Sequence, residues 1–144
     1  MAWKSLSNTG SNMIAIIDYK AGNLTSVKLA FDALGADSEI TDSTGRILDA
    51  DRVVFPGVGA AGAAMRMLNE LKLADAIRQV VARGTPFLGI CLGTQIIFQS
   101  SEEDGGVDGI GLVPGTVRLF KPAVRSDKVP QMGWNGVRQI RGHR

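Results

Sequence analysis

The single cysteine of the chain, Cys91, lies in the stretch "GICLG" between Gly89 and Gly93. This spacing matches the nucleophile elbow G-x-S-x-G, with sulfur in place of oxygen. In such an elbow a strand turns sharply into a helix, and the glycines remove side chains that would collide with neighbouring elements. The helix N-terminus favours the ionised thiol, and the Leu92 N–H can donate to a developing oxyanion. The pattern favours a nucleophile over a buried structural cysteine.

A second glycine-rich stretch, "PGVG" at residues 56–59, also follows a predicted strand. Glycines there permit positive φ angles and let backbone N–H groups come close to a bound group. Taken alone, the stretch also fits an ordinary turn from a strand into a helix. Open α/β sheets bind ligands at the carboxyl ends of their strands, so we expect this loop and Cys91 at the same edge.

Apolar runs and helical periodicity alternate along the chain. The predicted strands are 13–18, 37–41, 53–55 and 86–90, and the predicted helices are 22–36, 63–84 (in two pieces hinged near Lys72) and 92–101. Residues 101–111 have the composition of a surface loop. Alternating elements of this kind predict an α/β fold with a mostly parallel sheet covered by helices on both faces.

Length and composition are those of one globular domain. The chain has 144 residues, of which 44% are hydrophobic and 21% are charged. We expect a flexible polar leader over 1–12 and the domain over 13–144. One cysteine and one histidine cannot build a Cys/His zinc site, so no metal is expected. No apolar run approaches the roughly 18 residues of a membrane span, so no membrane partner is expected.

Positive charge is concentrated in residues 118–144. This segment contains one acid, Asp127, and seven basic residues: Arg118, Lys121, Arg125, Lys128, Arg138, Arg141 and Arg144. Such a segment could attract nucleic acid or an acidic protein. Because few aromatic residues are interleaved with the charges, a solvated surface is the favoured interpretation and no nucleic-acid partner is expected.

Four stretches together resemble the class I glutamine amidotransferases: "MIAIIDYKAGN", "PGVGAAGAAM", "GICLGTQIIFQSSEE" and "KVPQMGWN". The elbow alone indicates the wider superfamily, whereas the other motifs, in this order, resemble the glutaminase subunit of imidazole glycerol phosphate synthase. The resemblance runs from Met13 to about Asn135. It implies a flavodoxin-like fold and hydrolysis of L-glutamine to glutamate and ammonia, without a cofactor. The ammonia would pass to a separate cyclase subunit, in a cytoplasmic heterodimer of histidine biosynthesis.

The resemblance also implies roles for individual residues. Cys91 would be the nucleophile that forms a γ-glutamyl thioester. An oxyanion hole and a glutamine site would be formed by the Leu92 N–H, the backbone of Gly57, Val58 and Gly59, and Gln95. Trp134 and Asn135 resemble a segment near the cyclase interface, although an ordinary Trp packed in a turn is the alternative.

The sequence also departs from the family pattern. The family's late His-x-Glu arrangement does not occur, and His143, the single histidine, is interpreted as a surface residue. We therefore expect a C-terminally truncated amidotransferase with little turnover, exposed apolar sheet surface, and marginal stability or self-association. Lys20 replaces a usual glycine and could disturb its turn, and Ala61 replaces a bulkier aromatic residue.

Two other classes of function fit the same residues. One is a non-catalytic amidotransferase-like fragment that acts as an interaction module for the cyclase. The other is a different flavodoxin-like protein, either a cysteine hydrolase with another partner for Cys91 or a flavin-binding module. Flavin is disfavoured because "PGVG" lacks a hydroxyl-rich phosphate loop.

Overall fold

A four-stranded parallel sheet lies at the centre of the fold. The structure is a computed structural model that describes residues 12–124, 128–130 and 133–142; the expected leader, apart from Asn12, and His143 fall outside them. The sheet order is β2–β1–β3–β4, with the bounds β1 Ile14–Ile17, β2 Ser38–Thr41, β3 Arg52–Gly57 and β4 Phe87–Cys91. All three pairings are parallel, which confirms the predicted sheet.

Helices connect the strands in the alternating order that the sequence predicts. They are α1 Leu24–Ala33, α2 Thr44–Asp49, α3 Ala61–Glu70 and α4 Leu73–Ala82. The predicted hinge is confirmed, because Lys72 adopts a left-handed conformation (φ 58°) between α3 and α4. Helix α2 was not predicted. It is only one and a half turns long, and the Ser43 side chain caps it by accepting from the Arg46 N–H.

The main core lies between the sheet and helices α2, α3 and α4. Alternate strand residues such as Ala15, Ile17, Val53 and Phe55 point into it, since successive side chains of a strand face opposite sides. The helices contribute Ile47, Met65, Leu68, Leu73, Ile77 and Val80. Ile16 and Val54, on the opposite face of the sheet, are buried as well. The central strands are therefore buried on both faces, as their continuous apolar runs predict.

The second face of the sheet is covered only near its middle by the described residues. Ile40, Ile16, Val54 and Leu88 form one row across the four strands. The two residues at the ends of this row are exposed, by 37% for Ile40 and 52% for Leu88. Helix α1 forms where its apolar spacing predicts it, but none of its residues is buried. Apolar surface is thus open to solvent on this side of the described domain.

The chain after Cys91 differs from the prediction. The helix expected over 92–101 is wrong beyond Gln95, because α5 spans only Leu92–Gln95. A second sheet follows, in which β5 (Phe98–Ser101) pairs with β6 (Val107–Asp108) and with β7 (Val113–Val117). The loop expected over 101–111 is also wrong in part, since it contains a 3₁₀ turn at Glu103–Gly105 and β6. No helix in the described parts of the chain is long and apolar enough to cross a membrane.

The two exposed apolar side chains of β4, Leu88 and Ile90, should promote self-association. Replacing Leu88 and Ile90, which are 52% and 37% exposed, by Thr should shift the chain toward monomer, because Thr keeps strand propensity while removing apolar surface. Sedimentation velocity at equal concentrations would measure the shift. Leu34→Thr is the control, since Leu34 is 79% exposed at the end of α1 and is not part of a strand. A wild-type chain that sediments as a clean monomer would contradict this expectation.

Candidate active site

Cys91 lies at the carboxyl end of β4, at the point where the chain enters α5. Its backbone has a positive φ (φ 56°, ψ −118°), a conformation that is costly for a residue with a side chain. The residue is exposed, and it pairs directly with Gly57 at the end of β3. This geometry confirms a sharp strand-to-helix turn with the thiol at its apex.

Glycines permit α5 to cross very close to the neighbouring strand. A Cβ atom on Gly93 would lie 2.0 Å from the carbonyl oxygen of Phe55, and one on Gly89 would lie 2.6 Å from the carbonyl oxygen of Gly93. A Cβ atom on Gly57 would lie 2.6 Å from the Gly93 nitrogen. These distances are far below ordinary contact, which confirms that the elbow glycines clear space for the turn.

The loop Gly57–Gly59 lies beside the thiol, at the same edge of the sheet. Val58 and Gly59 are exposed, and Gly59 has the positive φ of 86° that glycine permits. Tyr19 holds the loop from the end of β1: the Val58 N–H donates to the Tyr19 hydroxyl (2.9 Å), which donates to the Val58 carbonyl (3.0 Å). In this conformation the Val58 N–H is therefore engaged by Tyr19.

The N-terminus of α3, which follows this loop, is capped from a distant part of the chain. The Ala61 N–H donates to the Glu103 carboxylate (3.1 Å) and the Gly62 N–H donates to the Asp104 carboxylate (3.3 Å). Carboxylates at this position satisfy free N–H groups and complement the helix dipole. Sequence reasoning missed this contact, because both acids lie in a stretch that has the composition of a surface loop.

A cleft of about 640 Å³ lies beside α5, within the size range of sites for small molecules. Gln95, the expected glutamine-binding residue, is exposed and lines it. The other lining residues are Thr94, Phe98, Ser101, Glu102, Glu103, Val117, Arg118, Leu119 and Phe120. Cys91 is not among the described residues that line it, so the structure brings Gln95 and Glu103 together there but leaves the thiol outside.

Residues 15–141 match the protein-family model "Glutamine amidotransferase class-I". The chain belongs to this family. It is 52% identical over 125 residues to "Imidazole glycerol phosphate synthase subunit HisH" of Moorella thermoacetica, with 87% of this chain and 58% of the relative aligned. It is 44% identical to "Imidazole glycerol phosphate synthase hisHF, chloroplastic" of Arabidopsis thaliana, with 91% of this chain and 22% of that protein aligned.

Solved structures support the fold. A crystal structure of a glutamine amidotransferase superposes with a TM-score of 0.61 at 17% identity, covering 73% of this chain and 55% of that one. A putative peptidase E from Listeria monocytogenes gives a TM-score of 0.52 at 20% identity, covering 65% and 53%. The flavodoxin-like arrangement of the amidotransferase family is thereby confirmed. The chain spans somewhat more than half the length of the Moorella relative.

Trp134 and Asn135 lie in a segment of this amidotransferase domain without helix or strand. Trp134 is fully exposed (104%), so the alternative of a Trp packed in a turn is wrong for the described residues. Several other large apolar residues of the same basic segment are exposed as well: Leu119, Phe120, Val137 and Ile140. The structure does not place Trp134 or Asn135 in the cleft.

Lys20 does not disrupt the turn after β1. It adopts a positive φ of 67°, its N–H donates to Asp18 (2.7 Å), and its ammonium group contacts Asp42 (2.6 Å) and Asp18 (3.4 Å). The hydrogen bond with Asp42 raises the pKa of Lys20, and the same bond lowers the pKa of Asp42. The turn is therefore formed despite the Lys20 side chain. The Lys20 ammonium group pairs with Asp18 at the end of β1 and with Asp42 at the end of β2.

No metal site is evident in the parts of the chain that the structure describes. No group of three or more His, Cys, Asp or Glu side chains there is arranged to hold a metal ion.

We predict that Gly93→Ala severely destabilises the fold. The new methyl group would overlap the Phe55 carbonyl, and overpacking that only backbone movement can relieve should cost about 3 kcal/mol or more. Urea unfolding would measure the loss. Gly45→Ala in α2 is the matched control, since the nearest atom to its Cβ position outside the helix backbone is the Ser43 Oγ at 3.7 Å, and a helical Gly→Ala change should stabilise by about 0.5 kcal/mol. Equal stability of the two variants would refute the steric account of the elbow.

We predict that Lys20→Gly melts at a higher temperature than Lys20→Ala. Both variants lose the ion pairs, but only Ala keeps a side chain at φ 67°. The ion-pair contribution, measured as wild type against Lys20→Ala, should be present between the ordinary pKa values of Asp (3.8) and Lys (10.5). It should disappear as pH falls through the lowered pKa of Asp42 or rises through the raised pKa of Lys20. A pH-independent difference would exclude the ion pairs as its cause.

Proposed function

We propose that this chain supplies the nucleophile, Cys91, and the oxyanion-stabilising backbone for the glutaminase reaction of imidazole glycerol phosphate synthase, with L-glutamine as substrate and with low turnover because the His-x-Glu arrangement does not occur in it. The observation that carries the proposal is the pairing of Gly57 with Cys91, which puts the glycine-rich loop after β3 beside the elbow. A strained, exposed Cys beside backbone N–H groups that can donate to a developing oxyanion is the arrangement that acyl transfer requires. The family of the chain and the names of its relatives support the same reaction class.

In the proposed reaction, the Cys91 sulfur attacks the γ-amide carbon of glutamine. The carbonyl oxygen becomes an oxyanion, the C–N bond breaks, and the nitrogen leaves as ammonia after taking up a proton. Water then attacks the γ-glutamyl thioester, which releases glutamate and regenerates the thiol. The atoms balance as glutamine plus water giving glutamate plus ammonia, with no oxidant or reductant.

Backbone groups around the elbow would stabilise the oxyanion. Leu92 is the first residue of α5, so its N–H has no acceptor within that helix. From the loop, the backbone of Gly57 and Gly59 would contribute, because the Val58 N–H is engaged by Tyr19. Gln95, one turn after Cys91, would hold the glutamine substrate, which must extend from the thiol to Gln95 because the cleft that Gln95 lines does not include Cys91.

The proposed partner is the cyclase subunit. The two subunits would form a cytoplasmic heterodimer, and the complete assembly would be classified as a lyase. Trp134 and Asn135 would contact it. A fully exposed Trp in a segment with further exposed apolar residues is typical of a surface that a partner covers, since large aromatic residues dominate interface energetics. The same exposure favours a second candidate, a non-catalytic module that docks on the cyclase without hydrolysing glutamine.

Labelling with an electrophilic diazoketone analogue of glutamine would test the proposal. We expect mass analysis to find one adduct, on Cys91, whose formation L-glutamine slows and L-asparagine does not. Gln95→Ala should weaken this protection by about tenfold. This is the effect expected from losing one hydrogen bond between Gln95 and a charged group of the glutamine substrate. Cys91→Ser is the control for site identity. Labelling that glutamine does not slow would leave the non-catalytic module as the better description.

A further inference from the structure

We infer that Tyr19 is a positioning residue that fixes the loop Gly57–Gly59 next to Cys91. One hydroxyl group bonds both polar groups of the Val58 backbone, accepting from the N–H at 2.9 Å and donating to the carbonyl at 3.0 Å. These bonds join residues 39 positions apart in sequence, across the ends of neighbouring strands β1 and β3. The inference rests on the proposed function, in which this loop helps to hold the oxyanion.

The loop needs an external anchor because its own residues constrain it little. Glycines flank Val58 on both sides, and Gly59 has a positive φ of 86° with nothing within 4 Å of its Cβ position. The Val58 side chain is 48% exposed and therefore anchors the loop weakly. Backbone donors accelerate acyl transfer only when they are already oriented toward the developing charge. A loop of this kind without a fixed point would have to be ordered in every turnover.

Tyr19 is itself held rigidly. It is 2% exposed, and its ring lies 5.0 Å from that of Phe55 at an angle of 55°, a favourable tilted contact. The residues on either side are fixed as well: the Asp18 N–H donates to the Thr41 carbonyl (2.9 Å) and the Lys20 N–H donates to Asp18 (2.7 Å). The hydroxyl thus extends from a packed ring between two fixed residues, and it can hold Val58 without moving.

Tyr19→Phe removes the hydroxyl and keeps the ring, so it isolates the anchor. We expect Cys91 labelling by the diazoketone analogue to slow by about tenfold, since two hydrogen bonds of ordinary strength hold the loop. Alkylation by iodoacetamide, which builds no oxyanion, should be unchanged. Unchanged analogue labelling, or faster labelling, would overturn the inference; faster labelling would mean that Tyr19 holds the loop away from its working position.

Ser38→Ala is the matched control for removal of a buried hydroxyl. Ser38 lies in β2 of the same sheet, and its hydroxyl has no hydrogen-bond partner among the described residues. We expect this variant to label like wild type. A similar slowing in Ser38→Ala and Tyr19→Phe would indicate general loosening of the sheet and would overturn a specific role for Tyr19.

Amide hydrogen exchange provides a readout that does not depend on glutamine. In Tyr19→Phe the Val58 amide should exchange at least about tenfold faster than in wild type, because its acceptor is gone. The Val53 amide, which donates to the Pro86 carbonyl at 2.9 Å in the sheet, should keep its rate. If glutamine fails to protect Cys91 from labelling in the wild-type chain, the proposed function fails. If the Val58 amide of Tyr19→Phe exchanges at the wild-type rate, the inference that Tyr19 anchors the loop is overturned.

Discussion

The close crossing of α5 over β3 is the contact on which the site depends. Gly93 lies against the Phe55 carbonyl and Gly57 lies against the Gly93 nitrogen, so strand and helix backbones approach more closely than a Cβ atom on either glycine would permit. At the same turn Cys91 adopts a positive φ of 56°. The parallel pairing of β3 with β4 places Gly57, and therefore the loop that follows it, beside Cys91. Nucleophile and loop are thus positioned by backbone contacts of β3 with β4 and α5.

Local patterns in the sequence predict most of the first ninety residues. Continuous apolar runs identify β1 and β3, and helical spacing with terminal glycines identifies α1, α3 and α4. After Cys91 such patterns fail. The run "QIIFQSS" fits either a helix or a strand, and its pairing with β7, which joins Phe98 to Val113, decides in favour of a strand. Helix α2 is too short for periodicity to reveal, and its signal is the cap at Ser43.

The candidate site was predicted in part for the same reason. Cys91 and the loop 57–59 carry local glycine patterns that can be read from sequence. Tyr19 has no such signal, since only the adjacency of β1 and β3 brings its hydroxyl to Val58. Glu103 and Asp104 reach α3 across 42 positions, in a stretch whose composition is that of a surface loop. Groups that act through long-range contacts need the fold before their roles can be identified.

The brevity of α5 changes the physical account of Cys91. A helix over 92–101 would place a sizeable dipole at the thiol, whereas α5 has a single turn, Leu92–Gln95. Stabilisation of a thiolate or an oxyanion must then come from individual N–H groups close to the sulfur, whose effect depends steeply on their orientation. Orientation is what the surrounding contacts supply: Tyr19 holds Val58 on one side of the loop, and Glu103 holds Ala61 on the other. Because both contacts come from outside the elbow motif, a chain that keeps "GICLG" and "PGVG" but loses them would keep its nucleophile and lose much of its preorganisation.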